Sequence, residues 1–169
     1  MDVTYIISIC EKYRIKNYTI NDDGSIDVNG NVYLDGQNLT ELPLNFNKVM
    51  GSLYCPYNKL KTLKGSPKYI TGSFDCSNNI LTSLELSPKE IAGNFYCSNN
   101  KLSSLDNGPN IVNGNFYCKN NKLTTNYSKI KVSGLFITTL EERGLKKDNY
   151  TDWVKKQKIK SIIKKVLKK

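Results

Sequence analysis

The chain of 169 residues contains no histidine and only one tryptophan, Trp153. Without imidazole, the usual general base for a Ser or Cys nucleophile is missing, as is the commonest metal ligand. No apolar run approaches the roughly 20 residues needed to span a bilayer. The opening Met1-Asp2-Val3-Thr4 lacks the basic segment of a secretory signal, and Ile6-Ile7 is too brief for its apolar core. A soluble, intracellular protein is therefore expected, with no integral membrane association. Glycines recur at 21 residues rather than at three to five, so no phosphate-cradling loop is present. Carboxylates are sparse in the regular part of the chain, where only Asp75, Glu85, Glu90 and Asp106 occur. These absences point away from an enzyme, a cofactor and a small-molecule substrate.

What the chain does have is a period. Gly30, Gly51, Gly72, Gly93 and Gly114 are each 21 residues apart, and Gly134 follows 20 later. Three units show the pattern in full: GSLYCPYNKLKTLKGSPKYIT, GSFDCSNNILTSLELSPKEIA and GNFYCSNNKLSSLDNGPNIVN. The unit from Gly30 diverges, with Leu34 at the cysteine position and Gln37 at the asparagine position. The unit from Gly114 keeps GNFYCKNNKL and then decays. Self-similarity at such a period marks a stack of five to six coils, each of which buries its apolar side only against its neighbours.

Each column of the repeat has a physical role. The alternating φ-x-C segment reads as a strand that sends Phe74, Phe95 and Phe116 inward with Cys76, Cys97 and Cys118. Leu60, Leu81, Leu102 and Leu123 form a second inward column, and Leu63, Leu84 and Leu105 a third. Asn58, Asn79, Asn100 and Asn121 sit where the strand bends away, placed to satisfy backbone groups that the bend leaves unpaired. Pro67, Pro88 and Pro109 hold the return segment extended and argue against a helix there.

The strings F-x-C-x-x-N-x-L-x-x-L resemble the leucine-rich-repeat motif, with Phe and Cys at two of its leucine positions. The proline-bearing turns resemble the short bacterial type found in secreted effectors, and runs such as GNFYCSNNKL resemble repeats of phage-encoded proteins. The resemblance covers residues 30–138 and implies a leucine-rich-repeat solenoid with one parallel sheet. A unit of 21 departs from the shorter, commonest bacterial unit and leaves the curvature open. A parallel β-helix is the rival architecture. The phage-like repeats also imply a location in a host cytoplasm or within a virion.

The remaining segments read as ends for this stack. Residues 1–29 are expected to form an N-terminal cap. In it Asp2 caps a helix with Val3, Ile6, Ile7 and Cys10 on one stripe, and Tyr18–Ile20 pairs with Ile26–Val28 as a hairpin. Residues 139–169 are expected to form a basic amphipathic helical segment with Ile159, Ile162, Ile163, Val166 and Leu167 on one face. Residues 141–169 hold 11 of the 25 Lys and Arg but only four of the 15 Asp and Glu, so most of the +10 net charge lies there. The lysines admit three readings: a solvated face of a cap, a polyanion contact through Lys155, Lys156, Lys158, Lys160, Lys164 and Lys165, and a membrane-surface helix whose single interfacial anchor is Trp153.

Two columns invite functional readings. Cys55, Cys76, Cys97 and Cys118 could suggest a metal, but sulfurs spaced by one strand separation, about 4.8 Å, form a line rather than a tetrahedron. They read as small buried hydrophobes, and a reducing compartment excludes a disulfide framework. The outward column Tyr33, Tyr54, Asp75, Tyr96 and Tyr117, flanked by Asn31, Ser52, Ser73, Asn94 and Asn115 with Tyr57 nearby, is the candidate partner-binding face. Its competing reading is that aromatic residues simply suit strands and stabilise one another. The expected function is a binding module for another protein. The alternatives are a structural component of a phage particle or other large assembly, and a nucleic-acid-associated protein acting through its basic segment.

Overall fold

The repeat becomes a coil whose sides are set by where the chain can bend. The computed structural model describes residues 2–124 and 129–138, all within one compact unit. Helix α1 (Val3–Lys12) begins after Asp2, whose backbone is extended and whose carbonyl accepts the Ile6 N–H at 3.1 Å. The Asp2 side chain makes no capping bond, and only Ile6 and Cys10 of the expected stripe are buried. Strands β1 (Tyr18–Ile20) and β2 (Ile26–Val28) form the antiparallel hairpin, turning at Asn21–Gly24.

From β2 onward every pairing among the described residues is parallel. One sheet carries β3 (Val32–Tyr33), β5 (Leu53–Tyr54), β7 (Phe74–Asp75), β9 (Phe95–Tyr96), β11 (Phe116–Cys118) and β13 (Phe136–Thr138). It is called the tyrosine sheet below. A second sheet carries β1, β2, β4 (Phe46–Val49), β6 (Tyr69–Ile70), β8 (Glu90–Ile91), β10 (Ile111–Val112) and β12 (Lys131–Val132). The molecule is thus a β-solenoid of parallel sheets, and the single sheet expected from the repeat resemblance is corrected to two. The cause lies in the return segment. Once Pro67, Pro88 and Pro109 hold it extended, its N–H and C=O groups lie one strand spacing from those of the next coil, and they pair. The inner strand β2 of the hairpin pairs directly with β4, so the hairpin continues this second sheet.

The glycine column is the corner between the sheets. Gly72, Gly93, Gly114 and Gly134 each donate their N–H to the carbonyl of the preceding column member, at 2.8 to 3.1 Å. A Cβ on Gly93 would lie 2.7 Å from both the carbonyl carbon and oxygen of Gly72. The corner therefore requires glycine by close approach rather than by φ.

Inside, the columns stack as the alternation implies. Leu53, Phe74, Phe95 and Phe116 are buried, with Cys55, Cys76, Cys97 and Cys118 beside them. Phe74 and Phe95 stack at 5.5 Å between centroids, and Phe116 meets Phe95 edge-on at 5.1 Å. The leucine columns and the inward Ile70, Ile91, Val112 and Val132 of the second sheet complete the core.

Asparagine fixes the third side. Asn79 Nδ2 donates to the Cys55 carbonyl of the coil before (3.0 Å) and to the Cys76 and Ser77 carbonyls of its own (3.2 and 3.1 Å). Its Oδ1 accepts the Leu60 N–H of the coil before at 2.9 Å. Asn58, Asn100 and Asn121 repeat the arrangement. Just before each lies a left-handed residue, Tyr57, Asn78, Asn99 or Asn120, with Gly36 at the same position of the first coil. Gly65, Leu86 and Asn107 form a second left-handed column two residues past Leu63, Leu84 and Leu105. Asn and Gly tolerate that conformation, whereas a side chain such as Tyr or Leu is strained there by about 1–2 kcal/mol.

Two stability outcomes follow, both read by urea unfolding. Tyr57→Asn and Leu86→Gly, at exposed positions where the neighbouring coils already use Asn or Gly, each stabilise the fold by about 1 kcal/mol. Asn79→Ala strands the buried Leu60 N–H, while the Cys55 and Cys76 carbonyls keep the amides of Asn58 and Asn100, and it costs about 1–3 kcal/mol.

Candidate binding face

The outward side of the tyrosine sheet is the most regular surface among the described residues. Register places Tyr33, Tyr54, Asp75, Tyr96, Tyr117 and Ile137 in one row across the strands. Tyr33 and Tyr54 stack at 5.3 Å with their planes 6° apart, and Tyr96 and Tyr117 at 4.8 Å and 4°. Asp75 separates the two pairs. One ring face of each inner tyrosine is covered by its mate, and the other looks toward the coil that carries Asp75.

The residues two positions earlier hold these rings. The amides of Asn31, Asn94 and Asn115 donate to the hydroxyls of Tyr33, Tyr96 and Tyr117 at 3.0, 2.9 and 3.0 Å. The same column links the coils. Asn31 Oδ1 accepts the Ser52 N–H, Ser52 Oγ that of Ser73, Ser73 Oγ that of Asn94, and Asn94 Oδ1 that of Asn115, at 2.8 to 3.1 Å. The expected site residues Tyr33, Tyr54, Asp75, Asn94, Tyr96, Asn115 and Tyr117 therefore lie together on one face. Tyr57 does not join the row; it lies past β5 at the left-handed corner and is 70% exposed. Asn31 lies in the flanking polar column that the repeat spacing marks, and its bond to the Tyr33 hydroxyl gives that column a ring-holding role that spacing alone does not reveal.

The coil at Asp75 differs from the rest. Its outward positions are Ser73, Asp75 and Ser77, all small, where the next coil has Asn94, Tyr96 and Ser98. Asp75 Oδ1 accepts both the N–H and the hydroxyl of Ser77, at 2.9 and 2.6 Å. Oδ2 has no hydrogen-bond partner and the carboxylate has no ion pair among the described residues.

Other surfaces carry less order. The second sheet's outward column runs Asp27, Lys48, Tyr69, Glu90, Ile111 and Lys131, mixed in charge and size, with one weak ion pair of 4.0 Å between Lys48 and Asp27. An open hollow of about 390 Å³ lies against Tyr5 and residues 38–45, with Glu41 and Lys64 its only charged groups. The basic positions Lys155, Lys156, Lys158, Lys160, Lys164 and Lys165, and the expected helix over residues 139–169, lie outside the described residues.

The cysteines run as a column through the core. Burial pushes the thiols of Cys55, Cys76 and Cys97 far above their ordinary value, and it also raises Cys10. Cys55 Sγ donates to the Asp75 carbonyl at 3.2 Å. Among the described residues no three Cys, Asp or Glu side chains converge as a metal site would need, and no helix is long and apolar enough to cross a membrane. No family model, curated protein or solved structure matches the chain.

The thiols give a direct check. All five cysteines are free and buried, so a thiol reagent at pH 8 labels the native protein slowly and the urea-unfolded protein five times over. Thiols that stay protonated when folded but ionise near 9.0 when unfolded make the unfolding free energy flat below that pH. It falls as pH rises past it.

Proposed function

We propose that the protein is a non-enzymatic binding module of the leucine-rich-repeat type, engaging another protein through the outward face of the tyrosine sheet. The observation that carries this reading is the pair of stacked tyrosine couples held in place by Asn31, Asn94 and Asn115. Tyrosine offers large contact area and a hydroxyl at little rotamer cost, and these rings are already ordered before any partner arrives. Preorganisation of that kind lowers the entropic penalty of association. Tyr57 supports the same reading. It keeps an exposed aromatic ring at a left-handed corner where other coils place Asn or Gly, and such local strain is commonly retained where a surface works.

Dimensions bound the partner. Five outward rows at about 4.8 Å extend roughly 20–25 Å. A standard interface of about 800 Å² per partner therefore takes in the loops beside the sheet, including Tyr57.

A second reading rests on the charge of residues 141–169, with 11 basic and four acidic side chains. Clustered lysines bind polyanions through counterion release, whatever the sequence. Under this reading the full-length chain retains DNA or RNA at low salt and a truncation ending at Asp152 does not; equal retention removes it.

The principal reading predicts that replacing Tyr54, Tyr96 and Tyr117 together with Ser abolishes capture of the partner from the native host, with the fold intact by circular dichroism. Unchanged capture by the triple variant would contradict it.

A further inference from the structure

The break in the tyrosine row has the chemistry of a cation site. We propose that the gap at Asp75, walled by Tyr54 and Tyr96, is a slot for a bulky alkylammonium cation such as a quaternary ammonium group. The inference rests on the reading of this face as the binding surface and gives that surface its chemical selectivity.

Three observations meet there. First, Asp75 pairs in register with Tyr54 on one side and Tyr96 on the other. Each of those rings is already stacked on its outer mate, so each turns its free face toward the gap. Second, Ser73 and Ser77 are small, so on that coil only the short Asp75 side chain stands between the rings. Third, Asp75 is anchored through Oδ1 by Ser77, while Oδ2 and the carboxylate's charge have no partner among the described residues.

The width selects the ligand. Two strand spacings separate the walls by about 9.5 Å. A cation midway lies about 4.7 Å from each ring, inside the roughly 6 Å reach of a cation–π contact. A planar guanidinium at van der Waals distance from both faces would need walls only about 7–8 Å apart, so it touches one ring at a time. A quaternary nitrogen carries methyl groups on all sides and meets both faces, with the Asp75 carboxylate beneath it to offset its charge. The same group can come from a free small molecule or from a methylated lysine of a partner protein.

The test is an NMR titration of ring-labelled tyrosines in the full-length protein with tetramethylammonium chloride, against sodium chloride at equal ionic strength and against tert-butanol as a neutral isostere. Saturable shifts are expected at Tyr54 and Tyr96 with tetramethylammonium alone. Asp75→Asn keeps an acceptor for Ser77 and should weaken binding about threefold to fivefold, the scale of a partly exposed charge pair. Asp75→Tyr gives this coil the same outward residue as its neighbours and should abolish the shifts while leaving the fold intact. Choline and a trimethyllysine peptide then separate the two sources, and saturation by either supports the slot. Non-saturating shifts, equal shifts with tert-butanol, or wild-type binding by Asp75→Tyr would each overturn it. The titration needs no partner, so its failure leaves the binding-face reading standing, whereas loss of that reading shows only in partner capture.

Discussion

Four successive coils are each tied to the one before by a buried asparagine (Asn58, Asn79, Asn100 or Asn121) that reaches both ways across the boundary. The Oδ1 of Asn79 takes a backbone N–H from the preceding coil, while its Nδ2 bridges carbonyls of both coils. A buried backbone group left unpaired costs about 1–3 kcal/mol, and the chain bends here in every coil. One amide at the bend satisfies several groups at once and fixes the offset between coils. The glycine corner and the Ser/Asn column repeat the device on the other sides, through backbone carbonyls and through Asn31, Ser52, Ser73 and Asn94. Since all three recur at fixed offsets from one coil to the next, the stack keeps one rise.

That rise governs what the surfaces can do. It spaces Phe74, Phe95 and Phe116 for ring contact inside the core, and Tyr33 with Tyr54 or Tyr96 with Tyr117 for stacking outside it. It also draws the cysteines into a line through the core, where burial holds the thiols of Cys55, Cys76 and Cys97 protonated. A ruled surface of this kind favours recognition of something that matches its spacing. An exception within the rule, such as Asp75 in a row of tyrosines, then carries more information than another regular member would.

Much of this was legible in the sequence because period, alternation and side-chain chemistry are local properties. The 21-residue spacing marked the coils, the φ-x-C alternation separated Phe95 and Cys97 from Tyr96, and the recurrent asparagine announced a bend needing an amide. The second sheet was not legible as a sheet. Its strands are two residues long in most coils, and pairs such as Glu90-Ile91 or Lys131-Val132 carry too little alternation to stand out. Pro67 and its equivalents said only that the segment was extended. Extended neighbours at one strand spacing then pair regardless of side chain. The role of the glycine corner was equally hidden, because it depends on the approach of Gly72 to Gly93 and not on any preference within one coil. The aspartate at position 2 misled for a related reason: its type suits a helix cap, but the geometry leaves its side chain unused.

The central claim is that buried asparagine amides set the register of the stack, and side-chain hydrogen exchange tests it most directly. Measured by NMR in the native protein, the Nδ2 protons of Asn58, Asn79, Asn100 and Asn121 should exchange far more slowly than those of the exposed Asn107 and Asn110. Exchange of both groups at the same rate would contradict the account.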